Sequence, residues 1–360
     1  MNLVPPRTSR RTDASGNSRA GWGVLADDAA VIEDAETNFP EWLTDPQGPL
    51  GPGAVVLGGR QLRCWGLSEV WRLRLGEGRA RSVIVKRGTG EMAQEAMRYR
   101  ELVVPLQLPA PQLIAAQGGD GSEPVVLVLE DVGEETLEQR PTAAGYREAV
   151  RTLARMRATA AERLAGNPAL GAALRRTSAD FADTAHHAAV GLATVRPDLA
   201  GSLDGVASTL NACLGPLSGL PATIVHGDFH AKNLVRGVSG RVSPVDWPGA
   251  YIHPHLGDLY TLLREARRLG LTDQADAAAL TALFARESGT DPAAVQEQMS
   301  IGGLCWTLLA LRWVVEEGIH AVPESAEWLD ELVTEAQAQS LAAAGCRRSG
   351  VRAGGSGGAG

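Results

Sequence analysis

The sequence predicts an α+β chain of two lobes, a small β-rich N-lobe followed by a larger, mainly helical C-lobe. Three observations predict it. Runs of β-forming residues separated by glycine turns crowd into Ala54–Glu130. Beyond Asp131 nearly every apolar pattern has the helical period. The two textures meet at a single crossing near residues 129–134, which leaves a cleft of the kind cofactors favour. The expected division is a partly disordered extension over 1–48, an N-lobe over 49–132, a C-lobe over 133–345 and a flexible tail over 346–360.

Taken in order, residues 1–48 are rich in Ser, Arg, Asp, Gly and Pro and read as a mobile arm with one short helix in 27–36. AVVLGGRQLRC, VWRLRLGEG and SVIVKRG, parted by CWGLSE and GEGRAR, form an antiparallel meander from Ala54 to Arg87. Met92, Ala96, Tyr99 and Val103 are spaced for a helix over 91–103, ended by Pro105, Pro109 and Pro111. Strands follow around QLIAAQ and PVVLVLE, the second apolar enough to be buried on both faces. In the second half, helices are expected at 143–164, 170–190, 200–214, 256–269, 274–287, 293–317 and 325–344. The one non-helical island there is Thr223–His255, and the closing GGSGGAG is a flexible tail.

A length of 360 residues suits two domains with a sizeable core, and 44% hydrophobic with 21% charged residues is an ordinary globular balance. The net charge of −8 argues against nucleic acid as a partner, because phosphate backbones are held by basic surfaces. Four dispersed cysteines form no CxxC pair and suggest neither zinc nor disulfides. No secretory pattern opens the chain and no apolar run reaches membrane-spanning length, so a cytoplasmic protein without a membrane partner is expected, as monomer or homodimer. Of 34 basic residues only Lys86 and Lys232 are lysines. A lysine kept in such a chain suggests a site that wants a compact ammonium.

The island reads IVHGDFHAKNLVRG, then VSPVDWPGAYIHPHLGDLY. Short strands on either side of a loop hold its side chains in place, so Asp228, Asn233 and Asp246 can converge. A carboxylate to orient an attacking hydroxyl, with an amide oxygen and a second carboxylate to hold Mg2+, is a kit for phosphoryl transfer. Singly, each residue fits an ordinary Asx turn equally well.

Together, His226-Gly227-Asp228-x-His230-x-x-Asn233 followed by Asp246-Trp247 closely resembles the signature of the aminoglycoside phosphotransferase and choline kinase group, small-molecule relatives of the protein kinases. The resemblance runs from about Val55 to Leu341 and is specific in this island. It implies a protein-kinase-like fold, ATP or GTP as donor, Mg2+ at Asn233 and Asp246, and Asp228 as the catalytic base. Lys86, ending the strand Val83–Val85, matches the lysine that reaches the nucleotide phosphates, and Glu95 matches its helix glutamate, with Glu91 and Glu101 as rivals. Gly66 and Ser68 stand at the phosphate-covering turn, where Gly66 could supply a positive φ and Glu69 should point away. Leu129, Glu130 and Val132 match the backbone hinge that reads the base. Asp258 matches the aspartate that braces the catalytic loop, and His226 reads as a packed structural histidine.

Several positions depart from the pattern. Lys232 stands where a small residue is common, and either faces solvent or adds charge beside the transferred phosphoryl. His230 is a substrate or phosphate neighbour, and Trp247-Pro248 replaces the usual Trp-Glu. For the acceptor, Trp306 and Trp313 share a helical face near Glu316, and Trp247 is a fourth candidate. Acids in the cleft would suit a cationic polyol, tryptophans a nucleoside or planar ligand, and an aromatic cage choline. The reading is an O-phosphotransferase acting on a small hydroxylated molecule, with an antibiotic favoured. A metabolic kinase for a sugar, homoserine or choline is the alternative, and a nucleotide-binding regulatory module the reading from another class.

Overall fold

The computed structural model describes residues 39–354, save 46, 77–80, 119–123 and 238. The short helix expected in 27–36 and the last residues of the tail lie outside the described residues. The first described element is a single turn, α1 (Glu41–Thr44). Then come β1 (Val55–Trp65), β2 (Ser68–Gly76), β3 (Arg81–Gly88), β4 (Leu113–Gln117) and β5 (Val125–Glu130), in one antiparallel sheet of order β1-β2-β3-β5-β4.

Strand alternation divides β5 between two cores: Val126 and Val128 face Trp71, Leu73, Val83 and Val85, while Val125, Leu127 and Leu129 face the lobe junction. On the outer face Leu43 is buried, and Phe39 packs edge-on to Trp71 at 5.8 Å. Residues 39–44 therefore cover the sheet, and the N-lobe begins before the boundary at 48 that composition suggested. Their apolar FPEWL run sits in a polar stretch, which hid it.

The helix expected over 91–103 is one continuous helical segment in three hydrogen-bonding forms. A 3-10 turn over Gly90–Gln94 leads into α2 (Glu95–Arg98) and a π turn over Tyr99–Val103. Ala96, Tyr99 and Val103 are buried as their spacing requires.

The C-lobe carries α3 (Ala143–Gly166), α4 (Ser178–Val195), α5 (Val206–Leu217), α6 (Gly257–Arg268), α7 (Ala277–Ser288), α8 (Pro292–Trp313), α9 (Ile319–Ala321) and α10 (Leu329–Gly354). Small strands β6 (Glu135–Thr136), β7 (Ile224–Val225), β8 (Leu234–Arg236), β9 (Val242–Pro244) and β10 (Tyr251–Ile252) form two sheets, β6-β8-β9 and β10-β7. Two expected helices start late. α4 opens at Ser178 instead of 170, because Thr177 and Asp180 form a reciprocal capping box. α5 opens at Val206 instead of 200, after Gly205 in the left-handed region. At the other end, α10 runs to Gly354 and so extends the helix into the expected tail.

Helix α8 is the spine, packed on α4, α5, α6, α7 and α10. With its continuation to Ala321 it contains an 18-residue stretch of mean hydropathy 1.2, more apolar than the sequence reading allowed, and 72% of that stretch is buried inside the fold. It is a core helix. At Gly302 a Cβ would lie 2.2 Å from the Gly257 nitrogen, so a glycine is needed where α8 crosses the start of α6. That close crossing fixes the first turn of α6, and with it Asp258.

Candidate active site

The lobes meet over a row of paired charges. Lys86, near the end of β3, forms an ion pair with Glu95 of α2 at 2.5 Å and a hydrogen-bonded ion pair with Asp246, while the Asp246 Oδ2 lies 3.4 Å from Arg63 of β1. Burial opposes the charge on both Lys86 and Asp246. Their mutual attraction wins, raising the lysine pKa and holding the aspartate below the usual carboxylate range. Asp246 has φ +69°, an uncommon left-handed conformation for a side chain other than glycine, and this turns the carboxylate back toward Lys86. The next backbone N–H, of Trp247, donates to Glu95 at 3.0 Å. Of the rival glutamates, Glu101 is exposed and Glu91 faces a neighbouring cavity.

The loop after β7 holds the other carboxylate. Asp228 is flanked by His230, whose Nε2 lies 2.9 Å from Oδ1, and by Asn233, whose amide donates to Oδ2 at 2.7 Å. Burial works against its charge, but His230 and then Lys232 hold its pKa down to about 2; burial likewise opposes the charge on His230, and Asp228 raises its pKa. Lys232 is half-buried in the cleft wall, close enough to act on Asp228 and Asp246, so of its two readings the inward-facing one fits.

Behind the loop, Asp258 at the head of α6 accepts the backbone N–H groups of His226 and Gly227 at 2.8 and 3.0 Å. Burial lifts its pKa to about 6 against those bonds. His226 is fully buried and held neutral by burial, with a pKa near 4. It accepts the Asp228 N–H at Nδ1 and packs on Trp247 at 4.4 Å. Gly227 sits at φ +88° with the Gly249 carbonyl 2.5 Å from where a Cβ would be, so no larger residue fits between the segments that carry Asp228 and Asp246.

The β1–β2 turn hangs over this row. Ser68 is buried and its hydroxyl has no hydrogen-bond partner among the described residues. Gly66 is not in the left-handed region, contrary to the positive φ that its position suggested, and a Cβ there would lie 3.5 Å from the Ala321 carbonyl oxygen. Glu69 turns outward to Gln61 and Trp71. At the hinge, Leu129 is buried in β5, Glu130 is exposed and Val132 half-buried. Asp131 is clamped by Arg72 at 2.9 Å and by Ser82 at 2.6 Å, and Arg72 also donates to the Gly133 carbonyl. That stiffens the connection between lobes.

Asp228 and Asp246 open into a cavity of about 280 Å³ whose far wall is Trp306, Trp313 and Trp328. Trp313 and Trp328 stack at 6.5 Å and 19°. Two expected acceptor residues are not there. Trp247 is fully buried, its indole N–H bound to the Pro244 carbonyl, and braces Glu95 and His226. Glu316 lies outside the cavity wall, bound to His187 and Arg312 at 2.9 Å each. Residues not singled out from the sequence line it as well, among them Arg63, Arg98, Arg176, Glu138, Glu265 and Trp328.

Hard oxygen ligands for a cation exist beside this cavity. The Asn233 amide nitrogen is committed to Asp228, which leaves its oxygen facing no described donor, and Asp246 supplies a carboxylate. Among the described residues no group of three or more His, Cys, Asp or Glu forms a metal cluster, so any Mg2+ here would take much of its coordination from phosphate and water.

The sequence profile of a phosphotransferase enzyme family matches residues 65–297. The chain belongs to that family. No curated protein sequence matches it. Among solved structures, a phosphotransferase of the aminoglycoside type from Ralstonia eutropha is 15% identical, with a TM-score of 0.55, covering 82% of this chain and 95% of its own. A variant of aminoglycoside 2'-phosphotransferase-IIIa in complex with GDP gives 13%, 0.54, 80% and 93%. A thermostable variant of APH(4)-Ia in a ternary complex with AMP-PNP and hygromycin B gives 15%, 0.51, 81% and 95%. At such identities the likeness is one of fold, and it shows the kinase-like architecture of this phosphotransferase. The family and the fold together make it a small-molecule phosphotransferase that acts on hydroxyl groups.

The residues found only in the structure have one reason in common. Arg63, Arg98 and Arg176 come from β1, α2 and the turn before α4, and only the tertiary fold of the phosphotransferase brings them into one cavity. Arg157 is similar: deep in α3, it donates to the carbonyls of Ile224, Pro254 and His255 and ties together the two ends of the Thr223–His255 island.

Proposed function

We propose that the protein transfers the γ-phosphoryl group of ATP or GTP, with Mg2+, to a hydroxyl of a small antibiotic-type molecule with a planar or apolar body. One observation carries the reading: an ionised carboxylate, Asp228, stands at the floor of an aromatic-walled cavity beside the Lys86–Glu95–Asp246 row. Asp228 orients the acceptor hydroxyl and takes its proton as the bond to phosphorus forms. Its low pKa keeps it ionised throughout the physiological range. Lys86 holds the nucleotide phosphates, Glu95 and the Trp247 N–H keep the row in register, and the Ser68 hydroxyl covers the phosphates from above. Asn233 and Asp246 would hold Mg2+, which neutralises charge on the phosphates. Lys232 adds a positive charge on the acceptor side.

The donor reading draws on the complexes of similarly folded proteins with GDP and AMP-PNP, and the antibiotic reading on the hygromycin B complex. The tryptophan wall favours a planar acceptor over a polyamine. The test is a screen in which ATP or GTP with Mg2+ is offered alongside hydroxylated antibiotics and metabolites, with products read by mass spectrometry. Nucleotide consumption with one phosphoryl group appearing on an acceptor is the expected result. Mg-nucleotide binding with transfer to nothing in the panel would favour a regulatory module instead.

A further inference from the structure

The acceptor cavity contains a second polar centre, built from Arg98 and Arg176. Arg98 is anchored by its Nε, which donates to the Pro248 carbonyl at 3.0 Å, and it rests on Met97. Arg176 lies over the rings of Tyr251 and Phe181, at 4.8 and 5.9 Å. Both guanidinium groups line the cavity with Trp306, Trp313 and Trp328. Among the described residues neither has a carboxylate within ion-pair distance, whereas Arg72, Arg196, Arg264 and Arg268 all do.

Like charges held together in a half-buried cavity are unfavourable without a counter-charge. The burden registers on Arg98, whose pKa is lowered first by burial and then by Arg176. Glu91, in the same cavity wall, acts on both through space. Burial and the neighbouring Glu317 push its pKa up, while Arg176 and Arg312 pull it down. Glu316, beyond it, is already shared between Arg312 and His187. Glu91, Glu138 and Glu265 also line the cavity, but none of them is within ion-pair distance of Arg98 or Arg176, and an anionic group on a ligand would supply that contact.

We propose that Arg98 and Arg176 clamp a carboxylate or phosphate group carried by the acceptor, while its planar part lies against the tryptophan wall. The proposal rests on the reading of this cavity as the acceptor site, and it narrows the acceptor from any hydroxylated molecule to an acidic one. A cationic group placed at this end of the cavity meets the two arginines as repulsion. The fork of a guanidinium suits either a carboxylate or a phosphate.

The test is calorimetric titration of the full chain with four probes: para-hydroxycinnamate, its methyl ester, phenyl phosphate and tyramine. The two anions are expected to bind at least about tenfold more tightly than the ester or the amine, the scale of one charge-assisted contact. The tighter of the two tells which acidic group the clamp prefers. Arg176→Gln should abolish the preference and Arg176→Lys should keep part of it. Arg98→Lys, which spares the charge near Pro248, should lower anion affinity while circular dichroism stays unchanged. Equal binding of ester or amine, a preference that survives Arg176→Gln, or no anion binding at millimolar concentration would each overturn the clamp. Thermal stabilisation of the wild type by Mg-nucleotide is measured beside it. If that response is present and the clamp fails, the phosphotransferase reading stands; if it is absent, the donor reading fails independently.

Discussion

The two sides of the cleft are built on opposite electrostatic plans. On the nucleotide side every charge has a partner: Lys86 with Glu95 and Asp246, Arg72 with Asp131, Asp228 with His230. On the acceptor side Arg98 and Arg176 have no carboxylate within ion-pair distance among the described residues, and three tryptophans line the same cavity. Paired charges are preorganised and cost little to reorganise when phosphates arrive, which suits chemistry common to many substrates. Unpaired charges beside tryptophans wait for a counter-charge from outside, which suits selection of one substrate.

Breaking the paired side should do the most damage. Lys86→Met removes the cation from a row in which two carboxylates would then face each other without it, and turnover should fall by about 10²–10³. Steady-state kinetics with varied nucleotide measures this, and near-normal turnover would detach Lys86 from the phosphates. Lys232→Met touches the boundary between the two sides. It forms no ion pair among the described residues yet bears on both Asp228 and Asp246, so its loss should cost about tenfold in kcat with little change in nucleotide KM. Activity that survives the change intact would return Lys232 to the solvent-facing reading.

The smallest effect is expected from His230→Gln, and it depends on pH. The raised pKa of His230 means that its share of stability is present below the ordinary value of 6.5 and is lost as pH rises through the folded value. The lowered pKa of Asp228 gives stability that is present above 3.8 and lost as pH falls through about 2. Between those limits the wild type should exceed the variant by about 1 kcal/mol or less, because Asp228 is partly open to solvent. Urea titrations at several pH values measure the difference. A gap that widens toward alkaline pH would refute the pairing.

How much was legible in the sequence follows the same division. The nucleotide side could be read because its chemistry needs particular residue types at short, fixed spacings: Asp228, Asn233 and Asp246 lie within one island, and Lys86 and Glu95 are nine positions apart. The acceptor side could not, because Arg63, Arg98, Arg176 and Trp328 are scattered over most of the chain and converge only in the fold. Even there the tryptophans divided: Trp306 and Trp313 reach the cavity, whereas Trp247 was drawn inward to brace Glu95. Helix starts failed for a different reason. The Thr177–Asp180 capping box was readable in TSAD, but alanine-rich periodicity upstream ran past it. The fold class needed none of this detail, since β-rich and helical textures separate cleanly near Asp131.

The central claim is that Asp228 acts as the base of a phosphoryl-transfer centre, and single-turnover transfer from labelled nucleotide by Asp228→Asn tests it most directly. The amide keeps the size of the side chain and removes its basicity. Nucleotide affinity should stay within about twofold of the wild type while the transfer rate falls by about 10²–10⁴, the usual contribution of a positioned base. A transfer rate equal to that of the wild type would contradict the claim.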